Sequence, residues 1–167
     1  MNLPALPFVP EAVIFDMDGL MLDSERVMVD CWSRAAQGMG LQVERRHWLR
    51  MVGHGDAACR AILHELMAED TAAELAARCH ALYETEMEAG LPLRPGVVEL
   101  LDWLRLRGIA CGVATSTHRP RAPRKLRTAG LLDYFAAVTC GNDVTRAKPA
   151  PDIYLLAAQR LSAAPVD

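Results

Sequence analysis

The sequence predicts an α/β protein: a parallel sheet covered by helices, with one helical insert. Three observations carry this. Three short apolar runs, 12–16, 109–114 and 136–140, are each bounded by glycine or polar residues, as strands of a buried parallel sheet are. Between and around them lie stretches whose apolar residues recur every three or four positions, the period of a helix packed on one face. The region 23–91 shows only that helical period, so it reads as a separate bundle inserted after the first strand.

Residues 1–10 hold three prolines and no basic run ahead of an apolar one, so they do not read as a signal peptide or a membrane anchor. The first strand is Ala12, Val13, Ile14 and Phe15 leading into Asp16, and it breaks at Asp18 and Gly19. In the insert, Val27, Cys31 and Ala35 form one stripe, Cys59, Ile62, Leu63 and Leu66 a second, and Leu75, Cys79 and Leu82 a third. Asp56 and Thr71 are read as helix N-caps, and Gly53 and Gly55 flank a sharp loop at His54. An insert leaving the carboxyl end of a strand is placed to act as a lid. After it, 97–107 reads as a helix with Val97, Leu100, Leu101 and Leu104 on its packed face and Gly108 as its stop. The second strand, a helix over 120–129 closed by Gly130, and the third strand follow, completing the alternation of a doubly wound fold. The expected domains are therefore 1–22 with 92–167 as the core, and 23–91 as the helical insert.

The 167 residues suffice to bury a core, and 51% of them are apolar. A formal net charge of −3 argues against a nucleic-acid-binding surface. The local basic run Arg119, Arg121, Arg124, Lys125 and Arg127 reads as a solvated helix face near an anion site. No stretch approaches the roughly 18 apolar residues of a membrane span. Five scattered cysteines, none in a CxxC pair, read as reduced core thiols of a cytoplasmic protein. Trp32, Trp48 and Trp103 fit apolar helix faces, whereas His47, His80 and His118 read as surface residues. His64-Glu65 lacks the second histidine that a zinc helix needs.

The chemistry concentrates at Asp16-Met17-Asp18-Gly19. A buried strand delivers a carboxylate at its carboxyl end, where α/β proteins bind ligands, and the glycine lets the chain turn away. Two carboxylates converging there suit divided labour, one attacking phosphorus while the other handles protons.

The run 15–25, Phe-Asp-Met-Asp-Gly-Leu-Met-Leu-Asp-Ser-Glu, resembles the first motif of the haloacid dehalogenase superfamily, closest to the phosphatases and β-phosphoglucomutase-like enzymes with a helical cap. Gly112-Val113-Ala114-Thr115-Ser116-Thr117 resembles its second motif and Lys148-Pro149-Ala150-Pro151-Asp152-Ile153-Tyr154 its third. The resemblance implies a Rossmann-like core and Mg²⁺-dependent hydrolysis of a small phosphomonoester, such as a sugar phosphate. It implies Asp16 as nucleophile, forming an aspartyl-phosphate, and Asp18 as general acid and base. Thr115, the Ser116 N–H and Lys148 would hold the phosphoryl oxygens, and Asp16 with the backbone carbonyl of Asp18 would hold Mg²⁺. Asp18 sets the chain apart from true haloacid dehalogenases. The mutases' early cap histidine has no counterpart at 26–29, so hydrolysis is expected over mutase chemistry.

For His54 two readings stand, a contributor to substrate specificity or a loop histidine without a catalytic task. Asp143 reads as a loop-turn carboxylate rather than a metal ligand. In the family the third motif leads to a further strand carrying an acidic pair, one member of which ligates Mg²⁺. This sequence ends where that strand is expected, making the core incomplete at its C-terminus. The corresponding expectations are an exposed sheet edge open to self-association and, as an alternative to a working enzyme, an impaired binding or structural module.

Overall fold

The computed structural model describes residues 10–162. In chain order it contains β1 (Ala12–Phe15), α1 (Ser24–Gly38), α2 (Arg45–Leu49), α3 (Asp56–Leu66), α4 (Glu69–Ala89), α5 (Val97–Leu106), β2 (Ala110–Ala114), α6 (Arg121–Thr128), β3 (Ala137–Thr139) and α7 (Asp152–Ser162), with 3₁₀ turns at Leu132–Tyr134 and Gly141–Asp143. The chain divides into two compact units: the described parts of Met1–Met21 and Leu93–Asp167 form one, and Leu22–Pro92 forms the other.

The first unit is an α/β core. Its strands form a parallel sheet in the order β1-β2-β3, with Phe15 beside Val113 and Val113 beside Val138. Helix α7 packs against all three strands and α5 against β2. Ile153 and Ala157 of α7 are buried against Ala114, with Ile14 and Val144 at the margin. Gly112 permits this approach, because a Cβ there would stand 3.1 Å from the Leu161 side chain. Phe135 closes the β1 side with an edge-on contact to Phe15, ring centroids 6.0 Å apart.

Two expectations for α5 change. Leu101 and Leu104 are buried, but Leu100 is 45% exposed and Trp103 is 44% exposed. The apolar stripe is wider than the face the sheet covers. Trp103 lies at the surface with the Arg107 guanidinium 3.8 Å from its ring centroid.

The second unit is all helical, held mainly by α1 packing on α4, with Cys31, Ala35, Leu75, Cys79, Tyr83 and Met87 buried. Trp32 and Trp48 stack at 5.7 Å and 18° between planes, so both serve the core as expected. The expected caps are not where the helices begin. Gly55 caps α3, making Asp56 its first residue, and Ala68 caps α4, placing Thr71 inside its first turn. Glu69 and Asp70 open α4 instead, where carboxylates favourably meet the positive end of the helix dipole. Among the cysteines, four are buried and Cys59 is half-buried, all as free thiols. His47 is half-buried rather than a surface residue; His80 and His118 are exposed.

Candidate active site

Strand β1 ends at Phe15 and sets Asp16 at the carboxyl edge of the sheet. Met17, with no exposed surface, anchors the turn from the inside, and Gly19 bends the chain at φ +76, a left-handed conformation that costs other residues roughly 1–2 kcal/mol. Asp18 thus projects from a short loop pinned on both sides. The adjacent strand β2 ends at Ala114 and runs into Thr115, which is 1% exposed, then Ser116 and Thr117. The Thr117 N–H donates to Thr115 Oγ1 at 3.1 Å, folding this loop on itself.

Lys148 joins the strand ends. Its Nζ donates to Asp16 Oδ1 at 2.6 Å and to the Ala114 carbonyl at 2.9 Å. Burial works against the Lys148 ammonium, but its bonds to Asp16 and Tyr154 prevail and hold its pKa above the usual lysine value. The Tyr154 ring centroid lies 5.0 Å from Nζ. Asp18 is held at both oxygens: Thr117 Oγ1 donates to Oδ2 at 2.7 Å, and Lys125 Nζ donates to Oδ1 at 2.7 Å.

Lys148 therefore links Asp16 to Ala114 at the ends of β1 and β2, and Asp18 is tied through Thr117 to the loop after β2 that also carries Thr115 and Ser116. His54 lies in the other unit, exposed, with Nδ1 3.1 Å from the Val52 carbonyl.

Sequence reasoning missed Thr117 and Lys125. Lys125 corrects the solvated reading of the basic run, because its side chain is only 7% exposed. The signal was present in α6: Ala122, Lys125 and Leu126, spaced as one helix face, are all buried. Arg119 is also engaged, in a buttress behind the β2 loop. It donates to Asp143 Oδ2 at 2.9 Å and to the Val138 carbonyl at 2.7 Å, while Arg160 donates to the same Asp143 oxygen at 2.5 Å. Burial alone would raise the Asp143 pKa, but Arg119, Arg160 and the Cys140 N–H hold it well below the usual carboxylate range. The loop turn at Asp143 is thus a fully engaged structural carboxylate.

Among the described residues no three His, Cys, Asp or Glu side chains gather as a metal cage. What the site offers is two carboxylates and nearby backbone carbonyls, all hard oxygen donors. That set fits Mg²⁺, which binds through one or two carboxylates and takes its other ligands from water and phosphate.

The haloacid dehalogenase-like hydrolase model matches residues 10–167. The chain belongs to the haloacid dehalogenase-like hydrolases. Within the family its relatives include both phosphatases and a β-phosphoglucomutase of Bacillus subtilis, the last 30% identical over 94% of this chain and 72% of that one. It is 33% identical to a phosphorylated carbohydrates phosphatase of Thermotoga maritima, over 93% of this chain and 72% of that one. It is 36% identical to hexitol phosphatase A of Escherichia coli, over 91% of this chain and 69% of that one. The structure of CbbY from Rhodobacter sphaeroides in complex with phosphate superposes with a TM-score of 0.64 at 25% identity, covering 92% of this chain and 73% of that one. The family hydrolase therefore combines a Rossmann-like parallel sheet with a helical unit, and no helix among the described residues is long and apolar enough to cross a membrane.

Proposed function

We propose that this hydrolase is a Mg²⁺-dependent phosphatase that releases phosphate from a small phosphorylated carbohydrate through an aspartyl-phosphate on Asp16. The observation that carries the reading is the pairing of Asp16 with Lys148 and of Asp18 with Thr117 at the carboxyl ends of adjacent parallel strands. The names of the two phosphatase relatives support the carbohydrate class.

Asp16 Oδ2 attacks phosphorus as the bond to the sugar oxygen breaks, and Asp18 delivers the proton that this oxygen requires. Asp18 then takes a proton from water as the water attacks the acyl phosphate, releasing inorganic phosphate and restoring Asp16. Thr115 Oγ1, the Ser116 N–H and Lys148 Nζ hold the phosphoryl oxygens. Lys148 already bridges the nucleophile and the end of β2, so it brings its charge to the place where the phosphoryl group is transferred. Asp16 and the Asp18 carbonyl would hold Mg²⁺, which offsets the repulsion between phosphate and the two carboxylates. The five free cysteines support assignment to a reducing compartment, the cytoplasm.

The test is phosphate release from p-nitrophenyl phosphate and from a panel of hexose and hexitol phosphates, with and without Mg²⁺. Activity should require the metal, be greater on the sugar phosphates, and fall at least a thousandfold in Asp16→Asn. Metal-independent turnover, or an Asp16→Asn variant that keeps its rate, would overturn the reading.

A further inference from the structure

Lys125 has no task in the chemistry just described, yet among the described residues it is the one charged side chain in the buried class, at 5% exposure. Burial of an ammonium is unfavourable unless it is closely paired. Packing does not ask for one here, since its neighbours on the inner face of α6, Ala122 and Leu126, are apolar. The ammonium is directed at Asp18 Oδ1, and the other oxygen takes the Thr117 hydroxyl.

Both donors are themselves fixed. The Thr117 N–H is bonded to Thr115, and the Thr117 carbonyl accepts from Gly141 N–H at 3.1 Å. Lys125 is carried by a helix anchored through Leu126, which has no exposed surface. A carboxylate gripped at both oxygens from two different elements can neither rotate about its terminal bond nor swing out of the loop. Each carboxylate oxygen accepts two hydrogen bonds, so this grip still leaves room for a proton in transit.

We propose that Lys125 is a positioning residue that, with Thr117, holds the Asp18 carboxylate in the orientation from which it serves the leaving-group oxygen. The proposal rests on the role given to Asp18 above. Its contribution is geometric, of the kind in which small misplacements of a reacting group are costly in rate.

The experiment compares wild type, Lys125→Met, Lys125→Arg and Thr117→Val, and places Lys125→Met and Thr117→Val also on an Asp18→Asn background. The probes are p-nitrophenyl phosphate and glycerol 2-phosphate. Lys125→Met should lower kcat/KM at least tenfold on glycerol 2-phosphate, whose alkoxide needs a proton to leave. The loss should be smaller on p-nitrophenyl phosphate, whose phenolate does not, and Lys125→Arg should restore part of it. On the Asp18→Asn background the Lys125 substitution should cost less than twofold. Thr117→Val should follow the same pattern and keeps the test intact if Lys125→Met does not fold. Thermal melting gives a readout independent of turnover, in which the double variant should lose less than the sum of the single losses. Equal losses on both substrates and both backgrounds, from an active wild type, would overturn the role of Lys125 while leaving the phosphatase reading in place. A folded wild type inactive on both probes and on the sugar phosphates overturns that reading, and the positioning role with it.

Discussion

Asp143 is a residue whose charge serves the architecture rather than the chemistry. Two guanidinium groups and one backbone N–H converge on a carboxylate that is 12% exposed. Its pKa in the fold is lower than in the unfolded chain, where it titrates near 4. The unfolded state therefore binds the proton first as pH falls, so Asp143 contributes its full stabilisation above about pH 4 and loses it as the pH drops toward the folded value. Asp143→Asn should destabilise the protein by roughly 2 kcal/mol at pH 7, as expected for the loss of charge-assisted hydrogen bonds. Urea unfolding at pH 7 and pH 3 checks this: the gap between variant and wild type should narrow at pH 3, and a constant gap would contradict it. The same residue marks the limit of sequence reading at this scale. Asp16, Asp18, Thr115 and Lys148 stand out because each sits at a strand end or a helix entrance, in a local pattern with a chemical meaning. Lys125 and Asp18 lie 107 positions apart, and Arg160 and Asp143 lie 17 apart. The helical spacing of Lys125 with Ala122 and Leu126 hints that the lysine turns inward, but nothing local names Asp18 as its partner.

Among the elements, the loop after β3 shows how a turn positions a site it does not belong to chemically. Gly141 passes so close to the loop after β2 that a Cβ would collide with the Ser116 carbonyl. Its N–H donates to the Thr117 carbonyl at 3.1 Å, and the Asn142 side chain accepts from the Arg119 N–H at 2.9 Å. Gly141→Ala must therefore push the Ser116 peptide away, and Ser116 is the proposed backbone donor to the phosphoryl group. We expect kcat/KM with p-nitrophenyl phosphate to fall by about a hundredfold, since loss of an oxyanion-type donor costs on the order of a hundredfold to a thousandfold in kcat. Steady-state kinetics would refute this if KM and kcat matched wild type. The elements themselves were legible from apolar runs and their periods: the three strands fall within a residue of their expected bounds, and 97–107 and 120–129 are helical. What the period did not give was which part of a stripe is covered. Leu101 and Leu104 are buried in a helix that packs on β2, whereas Leu100 and Trp103, one residue earlier in each case, are exposed. Helix starts were also misplaced, because side-chain caps are only one way to satisfy the first N–H groups. Here α3 and α4 are preceded by Gly55 and Ala68 as caps in extended conformation, with no side-chain cap hydrogen bond.

For the molecule as a whole, charge balance decides what the site binds. The net charge is −3, and no excess of cations draws anions to the surface at large. Within the site, Asp16 and Asp18 each bond a lysine, so two negative charges meet two positive ones. A phosphate entering this near-neutral cluster must share Lys148 with Asp16 and approach a second carboxylate. Inorganic phosphate alone should therefore stabilise the fold weakly, and Mg²⁺ alone weakly, because each leaves one sign of charge uncompensated. Together they complete the balance, and binding to the native state raises stability by RT ln(1 + [L]/Kd), about 2.7 kcal/mol at a hundredfold excess over Kd. For a chain of this size that corresponds to a rise in Tm of roughly 5–10 °C. Thermal melting with phosphate, with Mg²⁺, and with both should show a combined shift larger than the sum of the separate ones. The excess should vanish in Lys148→Met, which removes the cation shared between nucleophile and phosphate. Simple additivity, or an excess that survives in Lys148→Met, would show that the two ions bind elsewhere or independently. The charge pairing seen at Asp16 and Asp18 would then not govern recognition.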